Sequence, residues 1–283
     1  MIQTVCEGLD HPEGVAWGPD GFLYAGGEAG QIYRIDVTTG NAEEIASTGG
    51  LVLGIALDAD ANVYACDPKR RQLLRVTQDG NITVLLSDSP ESPLLNPNYP
   101  VFDALGTLYV SDSGEWPSGG GRIYRLPPSG AAELWSTAAP HFTNGLAISP
   151  DGDYLYVAES TLPGITRIPI LEDGSAGDAE IVTLLPGTVP DGLAFDVEGR
   201  LFIGCYRPDR IYSIEPDGQL LIVADDYQGT ILAAPTNLAF GGPERTTMYI
   251  ASLARWHVGS IDVLVPGAPI FYPAIPIPTL EEN

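Results

Sequence analysis

Basic residues are scarce in this sequence of 283 residues. It has 13 Lys and Arg against 37 Asp and Glu, which gives a formal net charge of −24. A surface of this sign repels phosphate backbones and anionic lipid headgroups, so we expect no nucleic acid partner and no membrane partner. It attracts cations, although solubility alone also explains an acidic surface.

Long apolar runs, cysteine pairs and familiar catalytic motifs are also lacking. No stretch reaches the ~20 apolar residues of a membrane span, and the N-terminal residues have no signal-peptide pattern. Cys6, Cys66 and Cys205 form no Cys-x-x-Cys pair. We therefore expect reduced thiols and a cytoplasmic location. The nucleophile-elbow, zinc-protease and phosphate-loop motifs do not occur, which excludes those classes of enzyme.

The sequence does contain many glycines, prolines and tyrosines, together with an internal repeat. Six similar apolar segments start at residues 13, 53, 98, 144, 191 and 236. Each is followed by a turn, a second segment with an aromatic residue near its start, and then further strand-like segments. Gly, Asn and Asp in the turns supply the positive φ angles that hairpins require. Four strands repeated six times predict an all-β, six-bladed β-propeller with four-stranded blades.

The two ends of the chain bear on how the ring closes. The sixth repeat ends near Val265 after its third strand, and residues 2–8 stand where a fourth strand would stand. We expect this N-terminal strand to pair into the last blade, which leaves no open edge in the ring. Residues 1–283 are thus predicted to form a single propeller domain. The proline-rich tail from about residue 266 cannot be a ladder strand, and we expect it to lie extended over the surface.

The first residue of each inner strand is the most informative position. Because blades radiate from one axis, these six positions face one another at one depth, and in chain order they are Glu13, Leu53, Asn98, Asn144, Asp191 and Thr236. Asn-Gly and Asp-Gly are common turn pairs, which accounts for Asn144-Gly145 and Asp191-Gly192 when each pair is considered separately. It does not explain four oxygen side chains at one register. We call Glu13, Asn98, Asn144 and Asp191 the oxygen circle.

An all-oxygen ligand set selects a hard cation. Calcium (Ca²⁺) takes 6–8 oxygen ligands, so a site with four protein side chains leaves positions for water or substrate. Magnesium (Mg²⁺) or manganese (Mn²⁺) in an octahedral site stays open as an alternative. Zinc (Zn²⁺) is less favoured because the circle contains no His or Cys.

Four segments carry a resemblance to a known family: HPEG, NPNYPVFD, TNGLAISPDG and PDGLAFDVEG. They resemble the regucalcin/gluconolactonase (senescence-marker-type) family of metal-dependent lactonases, and more distantly the diisopropyl fluorophosphatases and paraoxonases. The resemblance implies hydrolysis of lactones, related esters or phosphotriesters. It also implies that Glu13, Asn144 and Asp191 bind the metal, and that Asn98 binds metal or substrate. Asn96 stands where sugar-lactonase members tend to carry an Arg.

A cation in the circle would stabilise the charge that develops on a carbonyl or phosphoryl oxygen. We predict that Asp191 acts as general base or as nucleophile. A water activated by Asp191 or Glu13 is the competing mechanism. The alternative function is a non-catalytic, metal-stabilised propeller that binds a ligand or protein. A third possibility is a condensing enzyme of the strictosidine-synthase type, whose channel acid works without a metal. The four oxygen ligands of the circle argue against this class.

Several residues are placed by strand direction near the mouth of the channel. The candidates for binding a small-molecule substrate are Asn96, Tyr99, Trp116, His141 and Tyr206, with packing between blades as the alternative for each. Residues 111–122 form a Gly-rich connection, which is either a lid or a solvated loop. Lys69, Arg70 and Arg71 lie on the same face. We interpret them as an ion-paired surface loop, with recognition of an acidic substrate as the alternative. The oligomeric state stays open.

Overall fold

Short strands separated by tight turns build the computed structural model of this chain, which describes residues 1–90 and 93–275. The strands form six antiparallel sheets of four strands each. The first three blades, each written from the inner to the outer strand, contain β2 (Val15–Trp17), β3 (Leu23–Gly26), β4 (Gln31–Asp36) and β5 (Asn41–Ser47); β6 (Ile55–Leu57), β7 (Val63–Asp67), β8 (Gln72–Val76) and β9 (Ile82–Ser87); and β10 (Pro97–Phe102), β11 (Leu108–Asp112), β12 (Arg122–Leu126) and β13 (Glu133–Ser136).

The other three blades repeat the same order. They contain β14 (Thr143–Ile148), β15 (Tyr154–Glu159), β16 (Gly164–Pro169) and β17 (Glu180–Leu184); β18 (Val189–Phe195), β19 (Leu201–Arg207), β20 (Arg210–Ile214) and β21 (Leu220–Asp225); and β22 (Pro235–Gly241), β23 (Thr247–Ser252), β24 (His257–Asp262) and β1 (Gln3–Glu7). Between β23 and β24 lies one 3₁₀ turn, Leu253–Arg255, and the described residues contain no α-helix. The predicted six-bladed β-propeller is therefore confirmed.

The hydrophobic core lies between neighbouring blades. Tyr24 and Ile32 of the first blade, for example, pack with Ile55 and Val63 of the second. The turns between strands are fixed by Asp side chains: Asp196 Oδ1 accepts the backbone N–H groups of Glu198 and Arg200. Such Asx turns hold the first and second strands of a blade in register. The inner strands of the six blades contact one another in a closed ring around the axis.

The N-terminal strand closes this ring, as the sequence predicts. β1 pairs with β24, with Gln3 opposite Ser260 and Glu7 opposite His257. Cys6 is buried in the core that the sixth blade shares with the first. The last blade therefore takes three strands from the end of the propeller and one from its beginning.

The proline-rich tail runs over the ends of the inner strands on one face of the propeller, where its described residues from 268 on stay partly exposed. Ala268 N donates to Phe195 O at 2.9 Å, and Tyr272 Oη donates to Trp17 O at 2.6 Å. Residues 268–272 and the last residues of all six inner strands line an apolar cavity of about 160 Å³. Positions 276–283 lie outside the described residues. The described part of the tail thus covers the channel at the end opposite to the first residues of the inner strands.

In the described parts of the chain, no helix has the length and apolarity needed to cross a membrane.

Candidate metal and substrate site

A cavity of about 660 Å³ opens at the beginnings of the inner strands. Its lining includes all six register positions, Glu13, Leu53, Asn98, Asn144, Asp191 and Thr236. The four members of the oxygen circle therefore share one cavity on the axis. Asn98, Asn144 and Asp191 are only 3–5% exposed, so their oxygens lie at the floor and not at the rim.

Irregular strand pairing places three of these side chains on the axis. The pairing of the first with the second strand skips two residues in blades three to six, between Pro97 and Pro100, Thr143 and Leu146, Pro190 and Leu193, and Pro235 and Leu238. Asn98, Asn144 and Asp191 fall within these gaps. A bulge frees a residue from the ladder and re-aims its side chain. The backbone therefore breaks its regular pairing at the three positions that carry the buried oxygens, and also at the equivalent position Thr236.

Glycine after a circle residue allows the inner strands to approach closely. A Cβ on Gly145 would lie closer than 3.0 Å to the carbonyl oxygen of Asp191, and one on Gly192 would come equally close to the backbone of Asn237. These contacts are with backbone atoms, which cannot move aside. The Asn-Gly and Asp-Gly pairs lie within β14 and β18, so their glycines serve close packing between inner strands and not a turn.

We expect Gly145→Ala to lower stability by about 1–3 kcal/mol, since the added methyl group overpacks a rigid contact. For a chain of this length that corresponds to a fall of roughly 2–10 °C in Tm. Gly259→Ala is the matched control, because a Cβ there meets its nearest neighbour at an ordinary 3.4 Å. Thermal melts of the two variants measure the difference, and equal midpoints would contradict the close-approach role of Gly145.

The oxygens at the floor of the cavity lack hydrogen-bond donors. Asn98 Oδ1, Asn144 Oδ1 and Asp191 Oδ1 are buried and have no partner. The amide of Asn144 is oriented by Ser160: Nδ2 donates to Ser160 Oγ at 3.2 Å, and Ser160 Oγ donates to Pro190 O at 2.8 Å. Buried polar atoms without partners are rare and costly. Ser160, which the sequence analysis missed, thus leaves Asn144 Oδ1 free for a ligand.

The two carboxylates of the circle are electrostatically unfavourable without a cation. Burial raises the pKa of Asp191 to about 7, and the contact with Asn144 only partly opposes this rise. The pKa of Glu13 is raised by burial and by the neighbouring charge of Asp191. Within the described ranges neither forms an ion pair.

The other five buried carboxylates among the described residues differ from Asp191, whose Oδ1 has no hydrogen-bond partner. Each of them accepts at least one hydrogen bond from the protein: Asp58 from Arg75, Asp67 from Thr48, Asp112 from Leu95, Glu159 from His141 and Asp196 from Arg200. Two uncompensated acids beside free amide oxygens are the donor set that a hard divalent cation takes. The residues present therefore fit such an ion.

The remaining register positions offer no free oxygen. Leu53 is apolar, and Thr236 Oγ1 donates to Glu13 O at 2.8 Å. Asn237 Nδ2 donates to the same carbonyl at 3.0 Å. These bonds tie the last inner strand to the first and fix the backbone from which Glu13 projects. This positioning role of Thr236 and Asn237 was not evident from the sequence pattern. Asn237 Oδ1 is also buried without a partner, but Asn237 does not line the cavity.

The residues expected to bind substrate divide into two groups. Asn96, Trp116 and Tyr206 line the cavity. Tyr99, in the irregular stretch of β10, lines the apolar cavity on the other side of the circle instead. His141 is outside both linings, and Phe142 takes the place at the mouth, with its ring edge-on to Trp116 at 5.1 Å.

The Gly-rich connection after β11 is packed onto the fourth blade. Ser113 Oγ donates to Thr143 O at 2.7 Å, and Gly121 N donates to Pro140 O at 3.1 Å. Both ends of the connection are thus fixed to the segment that leads into β14. Trp116 is held over the cavity by this framework and remains half exposed.

A second group of acidic and imidazole side chains lies outside this cavity. His11 Nδ1 contacts Glu28 Oε2 at 2.7 Å and Asp10 Oδ1 at 3.1 Å. The potential ligand atoms of the three residues lie within 4.8 Å of one another. Unlike the oxygens at the floor of the cavity, these groups contact one another directly.

The fold and the cavity define a six-bladed propeller with an axial, oxygen-lined site. The model of the SMP-30/Gluconolactonase/LRE-like family matches residues 11–254. The chain belongs to this family, which confirms the family expected from the four motif segments.

Individual proteins similar to this chain include two lactonases. A 6-deoxy-6-sulfogluconolactonase of Pseudomonas putida is 32% identical over 136 residues, which is 47% of this chain and 45% of the relative. A pentonolactonase of Haloferax volcanii is 25% identical over 247 residues, 85% of this chain and 80% of the relative. Thus the chain spans less than half of the first relative and most of the second.

The fold is similar to that of solved structures. A calcium-binding protein, regucalcin, from Agrobacterium tumefaciens superposes with a TM-score of 0.78 at 16% identity, covering 97% of each chain. At this identity the likeness concerns the fold alone.

Proposed function

We propose that this protein hydrolyses lactones with a divalent cation held by the oxygen circle, and that this cation is calcium. The observation that carries the proposal is that Asn98, Asn144 and Asp191 each have a buried, donor-free oxygen at the floor of an open cavity, beside the second carboxylate of the circle, Glu13. The names of the two lactonase relatives agree with the enzyme class predicted from the sequence. Magnesium and manganese are the alternatives.

The protein contributes charge, orientation and a reacting group. Glu13 and Asp191 would balance the two positive charges of the ion, while Asn98 and Asn144 would add neutral oxygens. A bound divalent cation supplies Lewis acidity, which stabilises negative charge on the lactone carbonyl oxygen. Three of the four ligands project from inner strands, so their positions are fixed before substrate binds. The open side of the cavity leaves room for the substrate.

Asp191 is the residue to which we assign the chemical step. As a nucleophile, its carboxylate would attack the lactone carbonyl carbon, and the ring C–O bond would break with its electron pair on the ring oxygen, which takes a proton from water. A water molecule would then hydrolyse the resulting mixed anhydride, which releases the hydroxy acid and regenerates the Asp191 carboxylate. As a general base, it would take a proton from the attacking water. Both roles require the ionised carboxylate, and the positive charge of the ion favours this form by lowering the pKa that burial raises.

A panel of substrates tests this function. Glucono-1,5-lactone, pentonolactones, a simple aryl ester and a phosphotriester are assayed after treatment with chelator, and again with calcium, magnesium or manganese added back. We expect turnover of lactones that is lost with chelator and restored best by calcium. A preference for the phosphotriester would redefine the substrate class. Tight calcium binding without any turnover would favour the non-catalytic alternative.

Calcium is expected to stabilise the protein more at pH 8 than at pH 5.5. Without the ion, Asp191 titrates near pH 7 in the folded state and near its ordinary value when unfolded. The folded state therefore binds the extra proton between about pH 4 and 7, and the contribution of Asp191 to stability is lost as pH rises through 7. Calcium needs the ionised form, so it competes with that proton.

At pH 8, saturating calcium should raise Tm by about 5–10 °C relative to chelator. At pH 5.5 the affinity should be roughly 30-fold weaker, since each pH unit below the pKa costs about tenfold. Thermal melts with calcium or chelator at both pH values measure this. Asp191→Asn serves as control and should flatten the dependence, whereas equal shifts at both pH values in the native chain would contradict it.

The compartment and the domain organisation belong to the same proposal. Cys6, Cys66 and Cys205 are buried and unpaired, which supports the expected cytoplasmic location with reduced thiols. We also propose that residues 1–283 act as one propeller domain. The bonds of the described tail to the first and fifth blades support this.

A further inference from the structure

Three consecutive basic residues, Lys69, Arg70 and Arg71, lie in the turn between β7 and β8. The turn is anchored by the buried carboxylate of Asp67, which accepts the backbone N–H of Arg70 at 3.0 Å and that of Leu51 at 3.2 Å. Thr48 Oγ1 donates to the same carboxylate at 2.7 Å. The backbone that carries the three cations is therefore held firmly to the neighbouring connection.

The three side chains differ in what they contact. Arg70 Nη1 donates to Thr48 O at 2.7 Å, and Arg71 Nη1 donates to Asp88 Oδ2 at 3.1 Å. These two match the ion-paired or hydrogen-bonded surface loop expected from the sequence. Lys69 lines the axial cavity instead. Among the described residues, no hydrogen bond or ion pair reaches its ammonium group.

The charges at the mouth of the cavity are of one sign. Apart from Glu13 and Asp191, the charged residues of the lining are Lys69 and Arg207. Acidic residues outnumber basic ones 37 to 13 in the chain. A cavity mouth whose charged residues are all basic is therefore unlike the chain as a whole. Arg207 is already neutralised, since its Nη1 donates to Asp209 Oδ1 at 2.8 Å. Lys69 is thus the free cation of the described lining.

We propose that Lys69 binds an anionic substituent of the substrate, so that the preferred lactone carries a carboxylate, phosphate or sulfonate away from its ester group. The inference rests on the proposed function and specifies its substrate class. The lactone carbonyl would lie at the oxygen circle on the floor of the cavity, while Lys69 at the mouth would contact the anionic substituent. A cavity of about 660 Å³ is within the range of sites for ligands of this size. The net negative charge of the protein repels anions at a distance, so the preference depends on this local contact.

The matched substrates are glucono-1,5-lactone and its 6-phosphate, which differ only in the anionic group. We expect kcat/KM to favour the phosphate. Lys69→Met should reduce the ratio of the two kcat/KM values by about 10- to 100-fold, as for the loss of a hydrogen bond between charged groups. The loss should lie mainly in KM for the phosphate, because the contact is remote from the reacting carbonyl.

Further variants separate charge from structure. Lys69→Arg keeps the charge and should keep most of the preference, whereas Lys69→Glu should reverse it. Arg71→Met removes a neighbouring positive charge outside the cavity and should leave the ratio unchanged. A lactone with a carboxylate in place of the phosphate tests whether Lys69 binds anionic groups in general, and we expect it also to be preferred over the neutral lactone. An unchanged ratio in Lys69→Met would overturn the inference.

A binding measurement keeps this test independent of lactone hydrolysis. Glucose 6-phosphate and glucose are rings without an ester, and their affinities are compared by calorimetry in the presence of calcium. Tighter binding of the phosphate that is lost in Lys69→Met would support the anion site even if no lactone were turned over. Equal binding of the two sugars by the native chain would overturn the inference even if neutral lactones were good substrates.

Discussion

Asp191→Asn should reduce lactone turnover by about 10²–10⁴-fold at saturating calcium, the range typical of a lost general base, and by more if Asp191 is the nucleophile. The amide keeps the shape of the side chain and one oxygen ligand, but it removes one of the two ligand charges. Calcium should therefore still bind, although more weakly. Calorimetry of calcium binding beside turnover on the best lactone measures the two effects separately.

Leu53→Asn is the matched control for this experiment. Leu53 occupies the equivalent position on the second blade and lines the same cavity, but it contributes no oxygen. Activity within a few-fold of the native chain is expected. Equal losses of binding and turnover in Asp191→Asn, both recovered by excess calcium, would mean that Asp191 only holds the ion. Undiminished turnover would remove it from the chemistry.

Deletion of residues 2–8 should prevent stable folding. The deletion removes β1 and with it the pairing to β24 and the buried Cys6. The last blade would then expose an open edge and lose its closure with the first. The cost, about 5 kcal/mol or more from lost hydrogen bonds and burial, is comparable with the ~5–15 kcal/mol that stabilises a typical domain.

Circular dichroism and thermal melts of the deleted chain measure this loss. A synthetic peptide of residues 2–9, added in trans, is the control, since it should restore part of the folded signal by filling the vacant edge. A soluble deletion variant with an unchanged midpoint would contradict the closing role of the strand.

The fold is predictable from the sequence because each blade repeats the same local pattern. The six register positions recur at nearly constant spacing, and the turns carry the Gly and Asp residues that they need. The course of the tail is less predictable, because its prolines exclude a ladder strand but do not determine which surface of the propeller it contacts. Its course over the channel depends on contacts such as Tyr272 with Trp17, which are distant in sequence.

The site is only partly predictable, and the limits have physical causes. Register alone brings the oxygen circle into one cavity. Side-chain direction within an irregular strand is not encoded by register, so Tyr99 next to Asn98 faces the opposite cavity. Contacts between segments that are distant in sequence are equally hidden: the orientation of Asn144 depends on Ser160, which follows β15 in the same blade. The sequence also does not show that Lys69 lines the axial cavity while Arg70, next to it, donates to Thr48 O.

The central claim is that one divalent cation binds on the propeller axis between four side-chain oxygens. The most direct measurement is the anomalous diffraction signal of crystals soaked with calcium, and of crystals soaked with manganese. We expect one strong peak at the floor of the axial cavity, with oxygens of Glu13, Asn98, Asn144 and Asp191 at about 2.3–2.6 Å from calcium. A peak only at the cluster of Asp10, His11 and Glu28, or four circle oxygens that share no ion, would contradict the account.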